Sequence, residues 1–200
     1  MGDTAAELAR GRASHARQAW TAAFESLSCA DRAAPLGAEE LELLATSAYM
    51  IGREEDYLGL LERAHRAHLD ADRPLAALRC AFWVGVTLAR RGEVGRASGW
   101  LGRAQRLLAR EEGERVERGY LLLPVVFEHE ARGELAAAAA TAGEAAAIGE
   151  RFGDADLFAL AAHEQGHVLI RSGRIKEGLG LLDEAMVAVL AGELSPIVSG

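Results

Sequence analysis

The sequence has 200 residues, 50% of them hydrophobic and only 6% aromatic, and carries a net charge of −8 at pH 7. An acidic balance argues against binding a phosphate backbone, which requires a basic stripe, so no direct contact with nucleic acid is expected. Helix-forming Ala, Leu, Arg and Glu dominate, prolines number four, and no run of alternating β-formers indicates a strand.

The spacing of apolar residues predicts a series of helices joined by short turns. The first is expected over residues 4–27, with Gly11 as the point where it could break, and Pro35 falls in the connector that follows. A cap-and-proline start signal at residues 72–74 opens a later helix. The remaining helices are expected over residues 38–51, 54–71, 75–91, 94–112, 114–132, 135–152, 156–172 and 175–191.

A repeat organises the chain. Glycines at positions 52, 92, 133 and 173 are 40, 41 and 40 residues apart, and each is followed twelve residues later by an alanine. A further copy starts at Gly11. Self-similarity of this length predicts an all-α solenoid of antiparallel helix pairs, about 40 residues per repeat. We expect one helical-repeat domain over residues 1–200. Its parts are a half repeat (11–37), four helix-pair repeats (38–77, 78–118, 119–158 and 159–194) and the start of a further helix (195–200).

The small residues of each pair resemble the tetratricopeptide repeat. The second pair fits best, with Gly85 and Leu88 in its first helix and Ala97, Leu101 and Ala104 in its second. Small residues are needed where two helices cross closely. The resemblance implies a right-handed superhelical solenoid, although the usual repeat of that family is shorter, about 34 residues.

A narrower resemblance is to the repeat region of actinobacterial LuxR-type transcriptional regulators. It rests on the runs at residues 34–45, 79–83 and 192–196. In those proteins the helical array senses or interacts, and a separate helix-turn-helix domain binds DNA. No such domain is present in this sequence, so the resemblance implies a fragment of a regulator or a stand-alone relative.

Residues 163–167 read His-Glu-Gln-Gly-His, a literal HExxH motif. On a helix this motif places His163 and His167 on one face, with Glu164 available as a general base, so a zinc-dependent hydrolase is one alternative function. The known extensions of the motif supply no third ligand here, and Gly166 is already explained as the small residue of its repeat. We therefore expect no metal and no catalysis.

Other signs of chemistry are absent from the sequence. It contains no GxSxG, GxGxxG or Walker motif, and Cys29 and Cys80 match no metal-binding spacing. Both cysteines are expected to be free thiols in a reducing cytoplasm. No secretion signal, membrane span or cofactor is expected.

The inner helices of such a solenoid line a concave groove, which is the favoured functional surface. We expect a non-enzymatic recognition module that binds a peptide, a partner protein or a small effector, within a transcriptional regulator. A purely structural oligomerisation module is the second alternative. Ser195 and Pro196 could start another helix, so the C-terminal end is expected to self-associate as a homodimer or to continue into further repeats. The expected ligand-binding residues are Tyr49, Arg79, Phe82, Tyr120, Phe127, Glu130, His163 and His167.

Overall fold

The computed structural model describes the backbone of residues 2–199 and the side chains of residues 4–199. Within that part of the chain every regular element is a helix, so the all-α prediction is confirmed. None of these helices is long and apolar enough to cross a membrane. The helices are α1 (Gly2–Ala16), α2 (Trp20–Ala33), α3 (Ala38–Met50), α4 (Glu54–Asp70), α5 (Pro74–Arg90), α6 (Val94–Leu108), α7 (Glu117–Ala131), α8 (Leu135–Phe152), α9 (Ala155–Arg171), α10 (Ile175–Leu190) and α11 (Pro196–Ser199).

Glycine turns separate the two helices of each later pair, as the repeat predicts. Gly52, Gly92, Gly133 and Gly173 all have φ between 74° and 87°, a left-handed conformation that glycine adopts without steric cost. At Gly52 the turn is closed by two backbone hydrogen bonds, from Gly52 N to Tyr49 O and from Arg53 N to Ala48 O. These turns fix the antiparallel hairpins.

The N-terminal segment differs from its prediction. In place of one helix over residues 4–27, two complete helices meet at a turn in which Gln18 has φ of 57°. Gly11 lies inside α1, where an added Cβ would be 2.6 Å from the Leu27 side chain. Gly85 has the same relationship to Leu101, sixteen residues further on. Gly11 is therefore the small residue at a helix crossing, and Gln18 occupies the turn position that glycine holds in the other pairs.

The chain divides into two compact units, one ending at Leu107 and the other beginning at Leu108. Each unit has its own core of residues that are almost fully buried. The first unit buries Leu27, Leu61, Leu78, Phe82 and Leu88, and the second buries Val126, Ala138, Ala142, Leu157 and Val168. In the second unit, side chains of α7, α8 and α9 form one apolar cluster, against which Leu181 of α10 also packs.

Candidate ligand-binding site

The expected groove residues of the first unit differ in their exposure. Phe82 is only 1% exposed and its ring lies 5.1 Å from that of Trp83, so it belongs to the core and offers no surface to a ligand. Tyr49 is half-buried, with its ring centroid 5.1 Å from that of Tyr57, and Arg79 is also half-buried. Of the three expected site residues in this unit, Tyr49 and Arg79 retain surface for binding.

Tyr120, expected to line the groove, is 2% exposed. It lies in the first turn of α7, and its hydroxyl donates a hydrogen bond of 2.9 Å to Asp154 Oδ1. The same Asp154 oxygen accepts a 2.9 Å bond from the backbone N–H of Leu157, which caps the start of α9. Tyr120 is therefore buried inside the unit, where its hydroxyl supports the cap at the start of α9.

Glu130 of α7 brings together side chains from α9. Its Oε1 lies 2.5 Å from an Arg171 nitrogen and 3.7 Å from His167 Nδ1, and its side chain is only 12% exposed. Glu164 joins them, since ligand atoms of Glu130, Glu164 and His167 all lie within 4.8 Å of one another. We call Glu130, Glu164, His167 and Arg171 the Glu130 cluster. It unites two expected site residues, Glu130 and His167.

The two other expected residues of this unit flank the cluster. Phe127 lies one turn before Glu130 on α7 and is 41% exposed. His163 lies one turn before His167 on α9, with Nδ1 3.5 Å from Glu164 Oε1. Hydrogen bonding to Glu164 raises the pKa of His163 above its usual value. The Glu130 cluster is therefore flanked by the apolar ring of Phe127 and by His163, whose raised pKa favours its charged form.

The cluster differs from a zinc-hydrolase site. In the described part of this unit, the group able to hold a metal contains His167, Glu130 and Glu164 but omits His163. Arg171 already neutralises Glu130 at 2.5 Å, and a metal ion would have to displace it. Gly166 serves the crossing of α9 and α10, where an added Cβ would lie 2.8 Å from Gly178 O. The spacing of the motif thus reflects helix packing.

A cavity of about 460 Å³ lies beside His163 and Glu164. The helix pattern does not predict this cavity, because part of its wall is made by Leu194, at the end of the last expected repeat, and by Val198, in the start of the expected further helix. Backbone N–H of Ser195 donates a 2.8 Å hydrogen bond to Asp156 Oδ1, which ties this segment to α9. The other lining residues are apolar: Ala159, Leu160, Leu182, Ala185, Met186, Val189, Leu194 and Val198.

A larger cavity of about 590 Å³ lies elsewhere in this unit, between the start of α7 and the C-terminal half of α8. Its lining is mostly charged, and its charges pair with each other. Arg118 is 3.2 Å from Glu144, and Arg151 is 3.1 Å from Glu114. A ligand there would have to compete with these ion pairs, so the apolar cavity is the better candidate site.

No protein-family model and no curated protein sequence matches the chain, but solved structures resemble it. The Rap conjugation gene regulator of plasmid pLS20, in complex with the Phr* peptide, superposes with a TM-score of 0.71 at 18% identity, over 94% of this chain and 53% of that protein. A Rap protein complexed with Competence and Sporulation Factor gives 0.67 at 17% identity, over 90% and 52%. A putative kinesin light chain of Podosopora anserina with nearly identical TPR-like repeats gives 0.56 at 15% identity, over 95% and 96%.

These likenesses establish the fold alone, which this chain shares with tetratricopeptide-like helical repeat proteins. The resemblance to the tetratricopeptide repeat is thereby confirmed for the fold. The chain spans about half the length of the two Rap proteins. The resemblance to LuxR-type regulators stays a prediction.

Proposed function

We propose that this chain is a recognition module that binds a peptide through its second unit. The observation that carries the proposal is the apolar cavity of about 460 Å³ with His163 and Glu164 in its lining. An enclosure of that size suits one or two apolar side chains of a peptide. The imidazole can donate a hydrogen bond and the carboxylate can accept one, which matches the two polar groups of a peptide backbone.

The neighbouring surface extends this site along the inner helices. The Glu130 cluster offers Arg171 and His167 as donors, and Phe127 presents an exposed ring that gains contact area at little cost in rotamer entropy. The structural likeness to a Rap protein bound to the Phr* peptide supports a peptide as the ligand class. The resemblance of the sequence to LuxR-type regulators supports a regulatory setting, in which peptide binding is passed to a DNA-binding partner domain.

Selection from a random peptide display library, followed by calorimetric titration of the selected peptides, tests the proposal. Met186→Glu places a charge in the cavity and His163→Ala removes the donor, so each should weaken binding by about tenfold or more. Phe152→Ala is the matched control, because Phe152 is a comparably exposed apolar residue of the same unit that does not line the cavity. Failure to select any peptide, or affinities that ignore both cavity variants, would contradict the proposal.

A further inference from the structure

The first unit gathers three metal-ligating side chains in a place that the proposed function does not use. Glu42 of α3, His68 of α4 and Cys80 of α5 each contribute one ligand atom, and the three atoms lie within 4.8 Å of one another. The residues are separated by 26 and 12 positions in the sequence, which is why no spacing motif reveals them. His68 and Cys80 are both 2% exposed.

The distances between these atoms are close to those of a metal site. His68 Nε2 lies 3.0 Å from Glu42 Oε1, and Cys80 Sγ lies 3.4 Å from the same oxygen. In a tetrahedral zinc site, bonds of about 2.0 Å to nitrogen and oxygen and about 2.3 Å to sulfur place such pairs roughly 3.3 Å and 3.5 Å apart. Both pairs that include Glu42 are therefore within a few tenths of an ångström of zinc geometry, and the ligand atoms of His68 and Cys80 lie within 4.8 Å of each other.

Two further features suit an ion at this position. The Glu42 side chain is 41% exposed, so a metal has a path from solvent and a water can complete the coordination. A mixture of thiolate, imidazole and carboxylate is the ligand set that zinc accepts.

We propose that Glu42, His68 and Cys80 form a zinc-binding site, with water as the fourth ligand. When the sulfur–zinc bond forms, the thiol proton of Cys80 leaves to solvent and the thiolate supplies the electron pair. Without metal, burial and the neighbouring Glu42 raise the pKa of the Cys80 thiol, so the sulfur keeps its proton and Glu42 accepts its weak hydrogen bond. Zinc would tie α3, α4 and α5 together and stabilise the first unit.

The test is a titration of tag-free, metal-stripped protein with Zn²⁺, paired with Co²⁺ as a spectroscopic probe. We expect one Zn²⁺ per chain, a higher unfolding temperature with Zn²⁺, and a thiolate-to-cobalt charge-transfer band with Co²⁺. Cys80→Ser should abolish that band, and both Cys80→Ser and Glu42→Gln should weaken zinc binding by at least about tenfold. Glu42→Gln decides the matter if Cys80→Ser does not fold, because the exposed side chain of Glu42 tolerates the change.

Two control variants separate this site from the other thiol and from the HExxH motif. Cys29→Ser and the double variant His163→Ala/His167→Ala should both bind Zn²⁺ as tightly as the unaltered chain. The proposal is overturned if the unaltered chain fails to bind Zn²⁺, if the Co²⁺ complex lacks the thiolate band, if Glu42→Gln leaves the affinity unchanged, or if the double histidine variant alone loses binding.

Discussion

Gly166 of α9 and Gly178 of α10 meet backbone to backbone. A Cβ added to Gly166 would lie 2.8 Å from Gly178 O, and one added to Gly178 would lie 2.5 Å from Gly166 O. Backbone atoms cannot move aside as the end of a flexible side chain can. The two helices of this pair therefore cross where neither has a side chain, and the distance between them depends on both glycines.

Gly166→Ala should destabilise the protein by about 1–3 kcal/mol, because the added methyl group must push α9 away from α10. Gly180→Ala is the control on the same helix pair, since nothing lies within 4 Å of its Cβ position. That change should stabilise the protein by about 0.5–1 kcal/mol, as alanine is the better helix former. Urea unfolding of both variants checks the contrast, and equal effects would contradict the close crossing.

Phe82→Ala should destabilise the first unit by about 3–5 kcal/mol, because it leaves a cavity in the core. The sequence predicts Phe82 as a ligand-binding residue, and in that role its replacement would weaken ligand binding. Because the ring is buried, the expected effect of the change is a loss of stability instead of a loss of binding. Thermal unfolding followed by circular dichroism measures it, and a variant as stable as the unaltered chain would show that Phe82 is not packed as described.

Tyr120→Phe should cost about 1 kcal/mol through loss of the hydrogen bond to Asp154. Asp154→Ala should cost about 1–2 kcal/mol, because it also removes the cap of α9. The double variant should cost less than the sum of the two single changes, since both remove the same hydrogen bond. A double-mutant cycle in urea measures this coupling, and strict additivity would show that the two side chains act independently.

The ion pair between Asp31 and Arg63 should make stability depend on pH. The two terminal guanidinium nitrogens of Arg63 each lie 2.7 Å from a carboxylate oxygen of Asp31. Hydrogen bonding to Arg63 holds the pKa of Asp31 below its ordinary value of 3.8. Because the folded-state pKa is the lower one, the stabilisation is complete above pH 3.8 and is lost as the pH falls through the folded value.

Asp31→Asn should therefore lower the free energy of unfolding at neutral pH by about 1 kcal/mol or less, and the difference should shrink in acid. Urea unfolding at neutral pH and near pH 3 compares the variant with the unaltered chain. Arg53→Ala serves as a control, since it breaks a local pair with Asp56 that does not involve Asp31. A deficit in Asp31→Asn that stays constant down to the lowest pH would contradict the assigned pKa direction.

The exposed apolar face of α10 is expected to mediate self-association. Leu190 is 80% exposed and Val187 is 65% exposed, and both side chains are apolar. Burying two such side chains against a second copy would favour a dimer by a few kcal/mol. Sedimentation velocity should find a concentration-dependent dimer that Leu190→Glu disrupts, whereas Val94→Glu, at a comparably exposed position in the first unit, should leave it intact. A chain that stays monomeric at high concentration would exclude this interface.

The helices and most of their ends follow from the sequence alone. The periodic glycines specify left-handed turns that other residues avoid, and the apolar spacing specifies one buried stripe per helix, so both are local signals. The predicted helix from 135 to 152 matches α8 at both ends. The signal failed at the first turn, because Gln18 takes the left-handed conformation there and Gly11 was mistaken for the turn residue.

Which side chains remain accessible to a ligand depends on how the helices pack against one another. Periodicity places a residue on a helix face but does not say how far that face is covered by the next helix. It therefore predicts Phe82 and Tyr120 as groove residues, although both are buried. Contacts between side chains of different helices likewise cannot be predicted from the spacing of residues along the sequence. Glu130 reaches His167 across 37 positions, and Cys80 reaches Glu42 across 38, because stacking of helix pairs sets these distances and no local spacing encodes them.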